Sequence, residues 1–361
     1  MRVGILTFHC TRNYGAVLQT YALQYYIKSL GHDVEIIDYR PYSLRKENYI
    51  VPRNYFPTGG ITYIERLPKF MFRILWNFIE FLKFRTINKF FDFSNCYFEI
   101  NETDFFNYDI CFFGSDQIWN TKITDGMDSA YWGNLNSIAP LKKIAYAASA
   151  GGDKTIFQSS SKINLFVNNF AAVSVRESDL AEDLKNLLNK NIPVVLDPTF
   201  LLSYQMWKDF AEVHPKKNKS SFLLVYKFFS DEYLDKKIGS LSLQLNIRVK
   251  SVMPSSPFKV FLMSTPQEFV QLFMSAACIV TTTFHGVVFS ILSRRPFYVY
   301  LRGMEYENRI IEILQKCHLM NRIITSDSDI IFEDIDYDTV YDNLAEYVAF
   351  SKKFIEDAFM I

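Results

Sequence analysis

The sequence predicts an α/β fold built as two parallel-sheet halves, and three observations predict it. Short apolar runs bounded by turn residues alternate with segments of helical period along the whole chain. The length of 361 residues suits two domains, and 49% hydrophobic residues can fill two cores. Small and polar residues gather where predicted strands end and helices begin, the place where open α/β sheets bind ligands.

In chain order, Arg2 to Phe8 reads as the first strand, and His9 to Gly15 as a turn. Ala16 to Leu30 reads as a helix with Leu18, Tyr21, Ala22 and Tyr25 on its buried stripe. Gly31 stops that helix, and Asp33 to Asp38 is the next strand. This βαβ unit lacks G-x-G-x-x-G and carries no dinucleotide fingerprint. Asn13 and Gly15 sit at the helix start, where they could hold a ligand's hydroxyls or an anion. A plain Asn cap next to an easy turn would use the same residues.

Residues 41–60 read as loop, with Pro41, Pro52, Pro57 and Gly59-Gly60. Residues 61–95 have a helical, very aromatic pattern. Arg66, Lys69, Arg73, Lys83, Arg85 and Lys89 outnumber Glu65, Glu80 and Asp92. Such a stretch fits peripheral contact with a membrane or the reception of a lipid-linked acceptor, but more often it is a helix pair packed on a domain.

Tyr108 to Phe113 is a strand that runs into Gly114-Ser115-Asp116-Gln117-Ile118-Trp119-Asn120. Ser115, Asp116 and Gln117 can bind sugar hydroxyls, Trp119 can offer a face to a sugar ring, and Asp116 can act as a base. An Asx-turn beside a buried tryptophan is the structural alternative. Lys143 to Ala148 and Ala172 to Val175 are further strands. Arg176 ends the second of these and suits a carboxylate or phosphate, which it can grip through two parallel hydrogen bonds. An ion pair with Glu177 or Asp179 would also explain it. A helix over 178–188 and Val194 to Leu196 lead to Asp197-Pro198-Thr199, which reads as the domain linker.

The second half repeats the alternation. Strands read at Ser221 to Phe228, Ile247 to Val252, Cys278 to Thr281 and Pro296 to Leu301. Helices read at 231–244, Pro266 to Ala276, Gly286 to Ser293, 306–317 and 337–358, with a Pro- and Ser-rich loop from Met253 to Phe258. Between Thr281 and Gly286 a strand's carboxyl end meets a helix's amino end, where free N–H groups and the helix dipole favour an anion. Thr282 or Thr283 can cap that helix, Gly286 admits a ligand to the backbone, and His285 can supply a proton or a positive charge. A satisfied histidine at an ordinary cap is the competing reading.

Composition narrows the function classes. Thirty-nine basic and 39 acidic residues give zero net charge, so nothing global points to nucleic acid or to acidic substrates. Cys10, Cys96, Cys111, Cys278 and Cys317 form no C-x-x-C pair and read as reduced cysteines of a cytoplasmic protein. The five histidines are scattered and suggest no metal. The opening RVGILTF reads as a strand and not as a signal peptide, and no apolar run has the length of a membrane span.

Seven segments in order then resemble the polysaccharide pyruvyl transferase family: GILTFHCTRNYGAVLQTYAL at 4–23, GHDVEIIDYRP at 31–41, FGSDQIWN at 113–120, YAAS at 146–149, SVRES at 174–178, LDPTFLL at 196–202 and TTTFHGVVFSILSRRPF at 281–297. The chain departs from the family in one place. An acidic or amide residue followed by serine commonly precedes F-H-G, and here Thr282 and Thr283 stand there. The resemblance implies two Rossmann-like domains facing across a cleft, similar to the GT-B glycosyltransferases, and the last helix, at 337–358, is expected to cross back to the first domain. The expected bounds are 1–196 on the acceptor side with the aromatic insert at about 61–95, 197–336 on the donor side, and 337–361 for the helix.

The resemblance further implies phosphoenolpyruvate as donor, with no cofactor or metal. The acceptor would be a sugar of a cell-surface polysaccharide or its lipid-linked precursor, and the product a cyclic pyruvate ketal made at the inner face of the membrane. Donor binding then falls to Arg176, Thr282, Thr283, His285 and Gly286, and acceptor binding to Asn13, Gly15, Ser115, Asp116, Gln117 and Trp119. The catalytic set would be His285, Arg176 and Asp116, because one residue must donate and accept protons near neutral pH. A nucleotide-sugar glycosyltransferase of the same architecture and a non-catalytic binding protein of a polysaccharide-assembly complex are the rival expectations.

Overall fold

The computed structural model describes residues 1–46, 62–100, 107–134, 141–213, 222–252, 263–324 and 330–361. The expected loop over 41–60 and the Met253–Phe258 loop fall mostly or wholly outside these residues.

The first half is a six-stranded sheet of β1 (Arg2–Leu6), β2 (Asp33–Tyr39), β3 (Phe93–Tyr97), β4 (Ile110–Phe113), β5 (Lys142–Ala148) and β6 (Ala172–Val175). All neighbours pair parallel, in the order β3-β2-β1-β4-β5-β6. The second half is a five-stranded parallel sheet of β7 (Phe222–Tyr226), β8 (Arg248–Ser251), β9 (Cys278–Thr281), β10 (Phe297–Tyr300) and β11 (Ile323–Ile324), in the order β11-β10-β9-β7-β8. Parallel strands covered on both faces lose the apolar–polar alternation, and the runs ICFF of β4 and FLLVY of β7 are wholly buried. In each sheet the strand order reverses once, between β1 and β4 and between β7 and β9. Rossmann-like sheets bind ligands at such reversals.

The helices are α1 (Tyr14–Ser29), α2 (Tyr42–Arg45), α3 (Thr62–Arg85), α4 (Ser160–Asn168), α5 (Ser178–Leu188), α6 (Tyr204–Phe210), α7 (Glu232–Gln244), α8 (Pro266–Ser275), α9 (Phe284–Leu292), α10 (Asn308–Lys316) and α11 (Tyr337–Ala358). Asn13 caps α1, its Oδ1 accepting from the N–H groups of Gly15 and Ala16. This helix is buried on nearly every side rather than along one stripe, and Tyr25, expected inside, is 40% exposed. The reason is that α1 is packed between the two halves. Tyr14 stacks on Phe269 of α8 at 4.3 Å and donates to the Ser264 carbonyl at 2.8 Å, and Tyr21 packs on Phe210 of α6 at 4.5 Å.

The aromatic stretch at 61–95 is one long helix, α3, then a 3-10 turn at Thr86–Phe90 and strand β3, not a helix pair. FSNCY is a half-exposed edge strand, so its apolar signal is weak and the aromatic run before it masked it. The segment Asp197-Pro198-Thr199 is not a plain linker. Asp197 caps a 3-10 turn, Pro198–Leu201, that packs against α1.

α11 joins the halves. Near its start the Tyr337 hydroxyl donates to the Arg295 carbonyl, and near its end the Ser351 hydroxyl accepts from the Leu196 N–H at 2.9 Å. Tyr26 of α1 donates to Glu356 at 2.7 Å, and Phe359 stacks on His32 at 3.9 Å.

Candidate active site

The loops at the two sheet reversals are fixed by buried polar contacts. The Thr7 hydroxyl donates to the Ser115 carbonyl at 2.9 Å, and the Ser115 hydroxyl to the Ala147 carbonyl at 3.0 Å. Trp119 N–H reaches the Ser149 carbonyl, and Ser149 N–H the Asp116 carbonyl, each at 3.1 Å. Asp116 sits at φ 66°, a left-handed conformation that aspartate tolerates better than most residues. Across from this loop α9 begins. Thr283 caps it, its Oγ1 accepting from Gly286 N–H at 2.9 Å.

Asp197 is the centre of the cluster. Its Oδ2 accepts from Arg176 Nη1 at 2.8 Å and lies 3.5 Å from His285 Nε2, an ion-pair distance too long for a good hydrogen bond. Its Oδ1 takes the Thr199 N–H and hydroxyl. Arg176 also donates to Ser149 Oγ at 3.1 Å and lies 3.8 Å from both Asp116 and Glu177. Ser149 donates to Glu177. Arg309 of α10 and Arg176 both lie over the Phe284 ring, at 5.2 and 4.8 Å.

Burial and charge compete here. Burial pushes the Asp197 carboxyl up, but His285 and Arg176 outweigh it and hold it below the usual carboxylate range. Burial wins at Glu177, whose carboxyl stays raised despite Arg176 and Arg309. Burial, then the like charge of Arg176, pushes Arg309 down to about 10. Four side-chain donors in this region are buried without a hydrogen-bond partner: Arg176 Nε, Arg309 Nε, His285 Nε2 and Thr282 Oγ1. Buried polar atoms are rarely left so, and a bound polar ligand or water would satisfy them.

Arg309 and Phe284 help line a small recess with Arg176 and Asp197. Arg309 also borders a cavity of about 520 Å³, where Gln117, Asn120, Lys122 and Asp153 face Gly303, Met304 and Tyr306. One guanidinium thus touches both spaces.

Some expected site residues converge and others do not. Arg176, His285, Asp116, Thr282 and Thr283 lie in or beside the cluster, and Gln117 lines the cavity. Gly15 packs directly on the imidazole, so that a Cβ there would stand 1.9 Å from His285 Nδ1. Trp119 cannot offer a face to a sugar, because it is fully buried, stacked 4.5 Å from Trp132, with its indole N–H given to the Tyr131 carbonyl. Ser115 is equally buried with its hydroxyl engaged. Gly286 N–H is taken by the Thr283 cap, and the glycine is needed because a Cβ would stand 1.9 Å from Thr281 Oγ1. His9, the other histidine at a strand end, belongs to a separate cluster, 2.8 Å from Asp38, which Arg40 also grips.

A model of the polysaccharide pyruvyl transferase family matches residues 13–302, most of the chain. The chain belongs to the polysaccharide pyruvyl transferase family. No curated protein matches it. Among solved structures it is similar to UGT89C1 of Arabidopsis thaliana (12% identity, 99% of this chain and 94% of that one, TM-score 0.45). It is also similar to the UDP-GlcNAc 2-epimerase of Neisseria meningitidis (10%, 98% and 94%, TM-score 0.44) and to the E. coli heptosyltransferase WaaC (14%, 83% and 88%, TM-score 0.38). These are loose likenesses and say nothing of what this chain acts on.

In this pyruvyl-transferase-family chain the residues that sequence reasoning missed are Asp197, Ser149 and Arg309, whereas Glu177 was foreseen as an ion-pair partner of Arg176. Asp197 and Ser149 lie in segments that carry the family resemblance, LDPTFLL and YAAS. Asp197 passed for part of a linker because Asp-Pro is an ordinary turn signal. Arg309 sits in the amphipathic helix α10, and nothing in its local sequence sets it apart from a surface arginine.

Proposed function

We propose that the protein transfers a pyruvyl group from phosphoenolpyruvate to two hydroxyls of one sugar in a cell-surface polysaccharide or its lipid-linked precursor, forming a cyclic ketal and releasing inorganic phosphate. The observation that carries this reading is the meeting of Arg176 and His285, from opposite halves, on one oxygen of Asp197.

The donor carries a carboxylate and a phosphate, so it needs cations and N–H donors. Arg176 supplies a guanidinium whose Nε has no hydrogen-bond partner, and α9 presents its N-terminus. Arg309 is the third element. Burial and a like charge disfavour its cationic form, and an anion bound beside it relieves both. In the reaction C3 of the donor gains a proton and C2 becomes electrophilic. One sugar hydroxyl attacks C2, the bond from C2 to the phosphate oxygen breaks, and the second hydroxyl closes the ring. Of the two hydroxyl protons, one replaces the proton given to C3 and the other leaves with phosphate. The site must therefore shuttle protons rather than supply them, and His285, held against Asp197 and Gly15, is the shuttle. Gln117 and the cavity it lines are the place for the acceptor, and Asn13 and Asp116, the latter 3.8 Å from Arg176, are its further contacts beside the donor.

The test is to incubate the protein with phosphoenolpyruvate and a panel of lipid-linked or nitrophenyl sugars. Inorganic phosphate and the mass gain of a pyruvyl ketal are expected together. Turnover of a nucleotide-sugar with no use of phosphoenolpyruvate would overturn the reading in favour of a glycosyltransferase. No turnover with any donor, with the polar cluster freely replaceable, would favour a binding protein.

A further inference from the structure

α3 is amphipathic in the wrong sense for a helix that serves only its own fold. Met71, Phe72, Leu75, Phe78, Ile79 and Leu82 recur at helical spacing and are all exposed, between 38% and 65%. They form one apolar stripe along about 17 Å of helix, at ~1.5 Å per residue. The polar anchors point the other way. Arg12 donates to the Asn77 carbonyl and to Glu80 at 3.1 and 3.0 Å, Lys83 holds Glu268 of α8 at 2.9 Å, and Phe84 is buried against Tyr14. Glu80 is the one carboxylate between residues 70 and 90, and Arg12 turns it inward. The exposed charged residues of this stretch, Arg73, Arg85 and Lys89, are all cationic, and Arg85, three residues after Leu82 and seven after Phe78, flanks the stripe.

We propose that this face of α3 lies in the surface of an anionic lipid bilayer, with the apolar stripe among the acyl chains and the cations at the headgroups. No helix among the described residues is long and apolar enough to cross a membrane, so the contact is in the plane of the surface. The charge pattern selects this occupant over a second copy of the chain. Two copies joined through the stripe would bring cations to cations along the rim, whereas an anionic headgroup layer attracts each of them.

The test needs neither donor nor acceptor, so it stands apart from the proposed reaction. The full-length protein is sedimented with vesicles of phosphatidylcholine alone or mixed with phosphatidylglycerol, and its oligomeric state is measured by analytical ultracentrifugation. The wild type should bind the anionic vesicles, and high salt should weaken that binding. Phe72→Glu/Phe78→Glu, whose positions face outward, should keep the circular dichroism spectrum and melting temperature while losing at least about tenfold in vesicle binding. Arg85→Gln/Lys89→Gln should lose most of the preference for phosphatidylglycerol, about fivefold per cation. Equal vesicle binding by wild type and the glutamate variant, or none by either, would overturn the proposal. So would a wild-type dimer that becomes monomeric in the glutamate variant without vesicle binding, which would make a second copy the occupant.

Discussion

At the residue scale, the proposed chemistry depends on what surrounds one imidazole. His285 has Asp197 on one ring nitrogen and Gly15 against the other edge. If it moves the proton, His285→Ala should lower turnover by roughly two to four powers of ten. His285→Gln keeps a hydrogen-bond donor but no titratable proton and should be nearly as slow. Full turnover in the glutamine variant, measured as phosphate release, would leave His285 only a hydrogen-bonding role. Arg176 holds Asp197 with one nitrogen and Ser149 with another, which a lysine's single ammonium cannot reproduce. Arg176→Lys should fold and bind phosphoenolpyruvate at least about tenfold more weakly by calorimetry, a loss typical of a broken charge-assisted hydrogen bond. Unchanged affinity would move the anion site to Arg309. The sequence marked both residues by their place at strand and helix ends, but the carboxylate that joins them lies 21 residues from Arg176 and was not legible.

At the element scale, the site exists because the start of α1 touches the start of α9. Gly15 makes that approach possible, and its reason is space rather than backbone conformation. Gly15→Ala places a methyl where the imidazole now stands, so the ring must shift by an ångström or more. Such displacements cost about a hundredfold in rate when the moved group is catalytic. The expected result is a fall in kcat with a native circular dichroism spectrum and little change in donor affinity. Full activity in this variant would mean that the ring's position is not critical. The sequence showed both helix starts, because Asn13 and Thr283 are recognisable caps next to strand ends. It did not show that they meet, since no local pattern encodes a contact 270 residues apart.

At the scale of the whole molecule, α11 starts on the second half and ends on the first, and its Ser351 accepts the N–H of Leu196, the residue before Asp197. Ser351→Ala leaves that buried N–H unsatisfied and should cost about 1–3 kcal/mol in urea unfolding. A melt unchanged from wild type would show that this bond is dispensable. Acid should test the carboxylate clusters. Burial pushes Asp38 up, but His9 and Arg40 bring it down to about 2, and Asp197 is likewise held low. A carboxyl lowered in the folded state adds stability that is complete above its unfolded value, about 3.9, and disappears as pH falls through the folded value. Stability should therefore drop steeply from about pH 4 to about pH 2. Asp38→Asn should flatten that drop, and an unaltered pH profile in this variant would contradict the assignment.

The sequence by itself determined the α/β class, the two halves, most strands and helices, and the family. Period, caps and strand-end residues are local properties, and parallel strands such as ICFF and FLLVY carry their burial in their composition. Edge elements without that signal, β3 and the two-residue β11, were not legible for the same reason. Only the tertiary structure decided that Trp119 is core and not a sugar platform, and that Ser115 and Gly286 spend their polar groups inside the fold. Only it showed that Asp197 and Arg309 belong with Arg176 and His285. A side chain's availability depends on what packs against it, and these neighbours come from distant segments that a linear pattern cannot bring together.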